Sequence, residues 1–261
     1  MDIALPTRVC VEVEVEDGQK LMTVYPQQRF KISTIPCELD ITSCRRYTIV
    51  VDWILEVCVR FRISESTFFL FVELYRRFYS VNKMDTNTLQ LFSVACLLIA
   101  SKFDEILCVS VDDLVYICAN AYTNKQITTA EMRVLETLDW KIRSAENTSY
   151  FAVLDKLLSI DGSRFSKSQI KYIVYSYVLG VAYLEYYQFR ASVDLFEEVM
   201  MLIVASESTD SGNYSTDGLV NFVYMCAISD FHKHGAMRMS GVDSDDVEIC
   251  QELLEELVTS P

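Results

Sequence analysis

The spacing of apolar residues changes along the chain. From Val9 to Glu16 the sequence VCVEVEVE alternates valine with Cys and Glu and runs into Asp17-Gly18, after which Leu21, Met22, Val24 and Tyr25 are apolar but less regular. Alternation running into Asp-Gly is a hairpin signal. An isolated hairpin is marginal in water, so a flexible or helical arm remains the alternative for residues 1–36. After Pro36 the spacing lengthens to three- and four-residue steps. Ile49, Val50, Trp53, Val57 and Phe61 predict a first helix that includes Arg45 to Phe61, with Thr42 or Ser43 as its cap. Ser64 caps a second, about 65–80, carrying Phe68, Phe71, Val72, Tyr75 and Phe78 on one face.

A third helix, about 86–103, contains LQLFSVACLLIASKFDE, Leu89 to Glu105. Its apolar residues fall on every face, the pattern of a helix buried on all sides. At about 1.5 Å per residue it crosses a small domain but not a bilayer. Small residues Ser93, Ala95, Cys96, Ala100 and Ser101 let neighbours approach closely, and Lys102, Asp104 and Glu105 bring its end to the surface. It reads as the hub of a helical domain. Ser110 with Asp113 resembles a capping box that opens a fourth helix, about 111–120, and Thr123 caps a fifth, about 124–138.

A polar joint, Lys141 to Asn147, separates this set from five more helical segments at about 147–158, 166–184, 189–206, 217–234 and 244–258. Residues 206–218 read as an exposed loop, and His232 to Ser240 as a polar link. The expected fold class is all-α: an arm (1–36), then two consecutive five-helix bundles (37–143 and 144–261). Proline agrees, since Pro6, Pro26 and Pro36 precede the first bundle and Pro261 is the last residue. A helix interior tolerates proline only at a cost of ~3 kcal/mol.

Charge narrows the function. The net charge is −14, from 37 acids against 23 bases, which argues against the basic footprint of a nucleic-acid binder. Nine cysteines, an odd number with no CxxC among them, read as buried reduced thiols of an intracellular protein. His232 and His234 are the only histidines, too few for a zinc site without other ligands at suitable spacing. No signal peptide and no apolar run of membrane-spanning length is expected. P-loop, GxGxxG and GxSxG motifs are all missing, and the acidic pairs Asp112-Asp113, Glu197-Glu198, Asp245-Asp246 and Glu255-Glu256 suit solvated helix faces and first turns. No catalytic residue, metal ligand or cofactor is expected. The chain reads as a binding module.

Three runs sharpen that reading. DITSCRRYTIVVDW (Asp40 to Trp53), LQLFSVACLLIASKFDE and VYICANAYTNKQITTAEMRVLETLDW (Val115 to Trp140) resemble, in order and spacing, the first, third and fourth-to-fifth helices of the cyclin box. In the second half, YQFRASVDLFEEVMMLIVA (Tyr187 to Ala205) and SGVDSDDVEICQELLEEL more weakly resemble the second box's hub and last helix. The resemblance implies the cyclin fold and a non-catalytic activator that forms a heterodimer with a cyclin-dependent protein kinase, in nucleus and cytoplasm. The family's lysine falls on Lys102 and its partner glutamate on Glu131, which grip the kinase's mobile helix. Phe103, Asp104, Glu105, Ile106 and Trp140 are implied to line the same contact, Phe103 and Trp140 as aromatic anchors. A second implied surface docks Arg-x-Leu substrates or inhibitors and falls on Arg46, Ile49, Val50, Trp53, Glu56, Leu89 and Gln90. Here Arg46 stands where the family has Met and Tyr47 where it has the following Arg, which implies weakened docking, since a cation at the groove edge repels basic peptides. The short arm carries no Arg-x-x-Leu destruction box, as in virus-encoded cyclins. A cyclin paired with a polymerase-directed kinase and a TFIIB-like factor are the alternatives, the second disfavoured by the acidic charge.

Overall fold

The computed structural model describes residues 8–14, 20–26, 41–82, 86–143, 149–186 and 230–259, with single positions between 197 and 227. In the arm, β1 (Arg8–Glu14) and β2 (Lys20–Pro26) pair antiparallel, with Val11 opposite Thr23 and Glu14 opposite Lys20. The rest of the arm lies outside the described residues. The body is helical: α1 (Ile41–Phe61), α2 (Glu65–Val81), α3 (Thr86–Asp104), α4 (Val111–Ile117), α5 (Asn124–Thr137), α6 (Tyr150–Leu158), α7 (Lys167–Tyr186), α8 (Asp230–Ser240) and α9 (Ser244–Thr259).

Local chemistry sets the boundaries. Ser64 accepts from the N–H of Thr67 at the start of α2, and Ser110/Asp113 and Thr123/Gln126 form complete capping boxes on α4 and α5. Two boundaries differ from expectation. Helix α1 already includes Ile41, so Thr42 and Ser43 lie inside its first turn. Helix α4 stops at Ile117 because Ala119 (φ 52°) and Asn120 (φ 60°) turn left-handed, with the Asn120 N–H returning to the Val115 carbonyl at 2.9 Å.

The hub is as the pattern implied. Residues Val94 to Ser101 of α3 are buried without exception, and α3 packs against α1, α2 and α5. Its buried hydroxyls are satisfied: Ser93 Oγ donates to the Gln90 carbonyl at 2.8 Å, and Ser101 Oγ accepts from the Val109 N–H at 2.7 Å. Beside it, Tyr47 is fully buried and stacks on Tyr75 at 5.2 Å, with Tyr79 edge-on at 5.0 Å. Tyr47, which the resemblance aligns with an arginine, is thus part of an aromatic cluster.

Helix α1 also joins the two halves. It packs on α7 and α8, and Thr48 Oγ1 donates to the Leu179 carbonyl at 3.1 Å in the buried seam. Phe69 of α2 stacks on Tyr175 of α7 at 5.4 Å. The stretch 232–240, expected as a polar link, is helical instead. Its polarity hid a buried face: Gly235, Ala236 and Ser240 are buried, and Ser240 Oγ donates to the Ala236 carbonyl at 2.7 Å. Of the expected helices 189–206 and 217–234 only some positions are described; those are helical, and Met200, Val204, Val223 and Cys226 among them are buried. The expected loop 206–218 lies outside the described residues.

Cys58, Cys96, Cys118, Cys226 and Cys250 are buried free thiols, and burial pushes that of Cys118 up to about 11. Cys108 departs from expectation, being exposed between α3 and α4. Among the described residues no helix is long and apolar enough to cross a membrane, and no cluster of His, Cys, Asp and Glu side chains could hold a metal ion.

Candidate functional site

The last turn of α3 and the middle of α5 meet through one ion pair. Lys102 Nζ lies 2.6 and 2.9 Å from the two carboxylate oxygens of Glu131. A cation in the last turn of a helix is favoured by the helix dipole. Just beyond it, the Phe103 ring stands half in solvent at 49% exposure, with the Arg143 guanidinium 5.3 Å from its centroid. Arg143 also donates to Asp104 Oδ1 at 3.0 Å. One guanidinium thus steadies the aromatic and its neighbouring acid, a cation–π contact adding roughly 0.5–1 kcal/mol at an exposed site.

Glu105 turns back toward its own chain. Its Oε1 accepts from the Ser64 N–H and from Thr67 Oγ1, both at 2.8 Å, at the N-terminus of α2. Partial burial pushes the Glu105 carboxyl up, but these hydrogen bonds, with the Ser64 hydroxyl, outweigh it and hold it below the ordinary 4.5. The two residues that follow point outward: Ile106 is 100% and Leu107 89% exposed.

Trp140 sits past the end of α5. Asp139 (φ 51°) and Trp140 (φ 60°) are both left-handed, which costs non-glycine residues roughly 1–2 kcal/mol each. The Trp140 N–H, bonded to the Leu135 carbonyl at 2.8 Å, closes the turn and leaves the indole 60% exposed. Phe103, Ile106, Leu107 and Trp140 therefore give the C-terminal ends of α3 and α5 an apolar surface beside the Lys102–Glu131 pair. Large exposed aromatics and aliphatics of this kind mark protein-binding surfaces. Sequence reasoning missed Leu107 and Arg143. The first was legible as the second apolar residue after a charged run; the second carried no signal.

The second predicted set is only partly assembled. On α1, Ile49 is exposed, Val50 and Trp53 are half-buried, as is Arg46, and Glu56 is exposed. Glu56 Oε1 accepts from Arg238 Nη1 of α8 at 3.3 Å, so the acid of this surface is already engaged by the chain's own cation. Leu89 is buried, at 3% exposure, because the start of α3 packs on α2, where Tyr75 donates to the Leu89 carbonyl at 3.3 Å. Gln90 is half-buried beside it.

Helical bundles around a buried hub, with a Lys–Glu pair at the rim of an apolar surface, form a candidate protein-binding site. Comparison with known proteins makes the class specific. Residues 20–143 match the family described as cyclin, N-terminal domain. The chain is 29% identical over 143 residues to a G2/mitotic-specific cyclin-B of Marthasterias glacialis, covering 55% of this chain and 37% of that protein. It is 42% identical over 92 residues to Cyclin-B1-2 of Arabidopsis thaliana, covering 35% of this chain and 21% of that one. The match thus spans well under half the length of either relative. The fold is also similar to a chain of the yeast RNA Pol II CTD kinase CTDK-1 complex, with a TM-score of 0.56 at 16% identity over 83% of this chain and 76% of that one. Residues 20–143 of the chain thus match a cyclin N-terminal domain.

Proposed function

We propose that this chain is the regulatory, non-catalytic subunit of a heterodimer with a cyclin-dependent protein kinase, and that it promotes cell-cycle progression in nucleus and cytoplasm. The observation that carries the reading is the Lys102–Glu131 pair flanked by exposed Phe103, Ile106, Leu107 and Trp140. The pair offers charged hydrogen-bonding groups to the ends and backbone of a partner helix. The apolar residues supply the anchors that such a contact needs.

The mechanism is a population shift. The kinase's mobile helix has inward and outward arrangements, and a partner that binds only one of them moves the equilibrium by its differential affinity. Shifting it from 1:99 to 99:1 requires about 5.5 kcal/mol of differential binding. Exposed ion pairs contribute little, about 0–1 kcal/mol. Most of the shift therefore falls to Phe103, Trp140 and the Ile106–Leu107 step, with Lys102 and Glu131 fixing which helix orientation fits.

B-type mitotic cyclins among the relatives support the cell-cycle reading over the transcriptional one, and the charge of −14 opposes a DNA-binding role. The test is co-purification with a panel of cyclin-dependent kinases followed by a histone phosphorylation assay. A stable complex with active kinase is expected; no complex with any kinase of the panel would sink the proposal.

A further inference from the structure

The segment from Glu105 to Val109 is tied down at both ends and bare in the middle. At its start, Glu105 Oε1 takes two hydrogen bonds from the first turn of α2, and the Glu105 N–H bonds to the Ser101 carbonyl at 3.0 Å. At its end, the Val109 N–H donates to the buried Ser101 Oγ at 2.7 Å, and Val109 itself is buried. Between the ties, Ile106 and Leu107 have almost no contact with the chain, at 100% and 89% exposure. Adjacent large apolar side chains in a free loop would fold back onto the nearest apolar surface to leave water. The two ties prevent that.

We infer that Glu105 is a positioning residue acting within its own chain: its carboxylate, on the Ser64 N–H and Thr67 hydroxyl, latches the 105–109 ledge to α2 and holds Ile106 and Leu107 out for a partner. This departs from the role the family resemblance assigns to Glu105, that of a direct kinase contact, and it rests on the proposed kinase partnership for its functional consequence. One detail of the geometry separates the two roles. Both bonds converge on the same oxygen, Oε1. A glutamine amide oxygen can accept both, so the latch needs an acceptor at this point and not a negative charge. A contact that met a cation of the kinase would need the charge.

The experiment compares wild type with Glu105→Gln, Glu105→Ala and Thr67→Val. Amide hydrogen exchange on the chain alone reads the latch, and calorimetric affinity for the kinase identified by co-purification reads its consequence. Glu105→Ala should speed exchange at Ser64 and across 106–109 and weaken kinase binding about tenfold, with the helical fold retained. Glu105→Gln should restore both readouts, and Thr67→Val should fall between. The inference is overturned if Glu105→Gln binds as poorly as Glu105→Ala, or if Glu105→Ala leaves exchange unchanged. Should wild type bind no kinase, the partnership fails, while the exchange measurement still decides the latch.

Discussion

Lys102 and Glu131, 29 residues apart in sequence, are joined through both carboxylate oxygens, yet the lysine side chain is 47% exposed and the glutamate 12%. The base is displayed and the acid sheltered. Glu131 thus holds a flexible lysine in one orientation before any partner arrives, which reduces the entropy lost on binding.

Charge reversal at this pair should separate function from folding. Lys102→Glu and Glu131→Lys are each expected to abolish kinase activation, measured by histone phosphorylation. Thermal unfolding of Lys102→Ala should show a stability change within about 1 kcal/mol, the scale of a surface pair. The double swap restores the pair's attraction but displays an acid in place of a base, so it should fold normally and remain inactive. Retained activation in either single reversal would remove the pair from the interface.

Gly235 should resist the usual glycine rule. Replacing a helical glycine by alanine normally gains about 1 kcal/mol. Here a Cβ would stand 2.0 Å from Asp52 Oδ1 and 3.1 Å from its Cγ, with Leu55 Cδ2 at 3.4 Å. Either the Asp52 carboxylate must swing aside or helix α8 must back away from α1, an overpacking cost of about 1–3 kcal/mol. Gly235→Ala is expected to lower the midpoint of urea unfolding, and to cost less in an Asp52→Ala background, where the atom it meets is gone.

The Tyr47 cluster should be expensive to open. Tyr47 is buried, stacked on Tyr75 and edge-on to Tyr79. Tyr47→Ala removes a large buried ring at about 3–5 kcal/mol. Chemical denaturation should show that loss.

What could be read from the sequence followed how local its cause was. Ser64, Ser110 with Asp113, and Thr123 announced helix starts correctly, because a cap acts within three residues. The hub was visible because apolar residues on every face have no other stable place. Helix α8 was not visible: its buried glycine, alanine and serine are apolar only in effect, made so by α1 and α7 lying against them. The burial of Leu89 was not legible either, because a motif position says which residue matches, not how the start of α3 sits against α2. The Lys102–Glu131 contact came from family resemblance alone, since neither residue carries a local signal for the other.

Acid should remove the charge-dependent part of the Glu105 latch and leave its two hydrogen bonds, which an uncharged oxygen also accepts, in place. Its carboxyl is held below 4.5 in the folded chain. A carboxyl with a depressed folded value adds stability that is complete above its unfolded value and is lost as pH falls through the folded one. Denaturant unfolding of wild type and Glu105→Gln between about pH 6 and about pH 3 should therefore show wild type losing ground below the ordinary carboxylate value. A constant difference across that range would mean that the charged form contributes nothing.

Docking of Arg-x-Leu peptides should be weak, for two reasons that can be separated. The family resemblance puts the Arg46 cation at the groove edge, which would oppose a basic peptide. Arg238 competes from within the chain for Glu56, the acid that would receive the peptide's arginine. Both partners of that pair are well exposed, at 59% and 48%. Releasing Glu56 should therefore gain at most about fivefold in affinity. In a fluorescence anisotropy titration, Arg238→Ala and Arg46→Met are each expected to tighten binding modestly, and together roughly multiplicatively, since they act on different ends of the surface. Glu56→Ala should erase the gain from Arg238→Ala while leaving that from Arg46→Met. Tight binding by the unmodified chain would show that neither cation obstructs the surface.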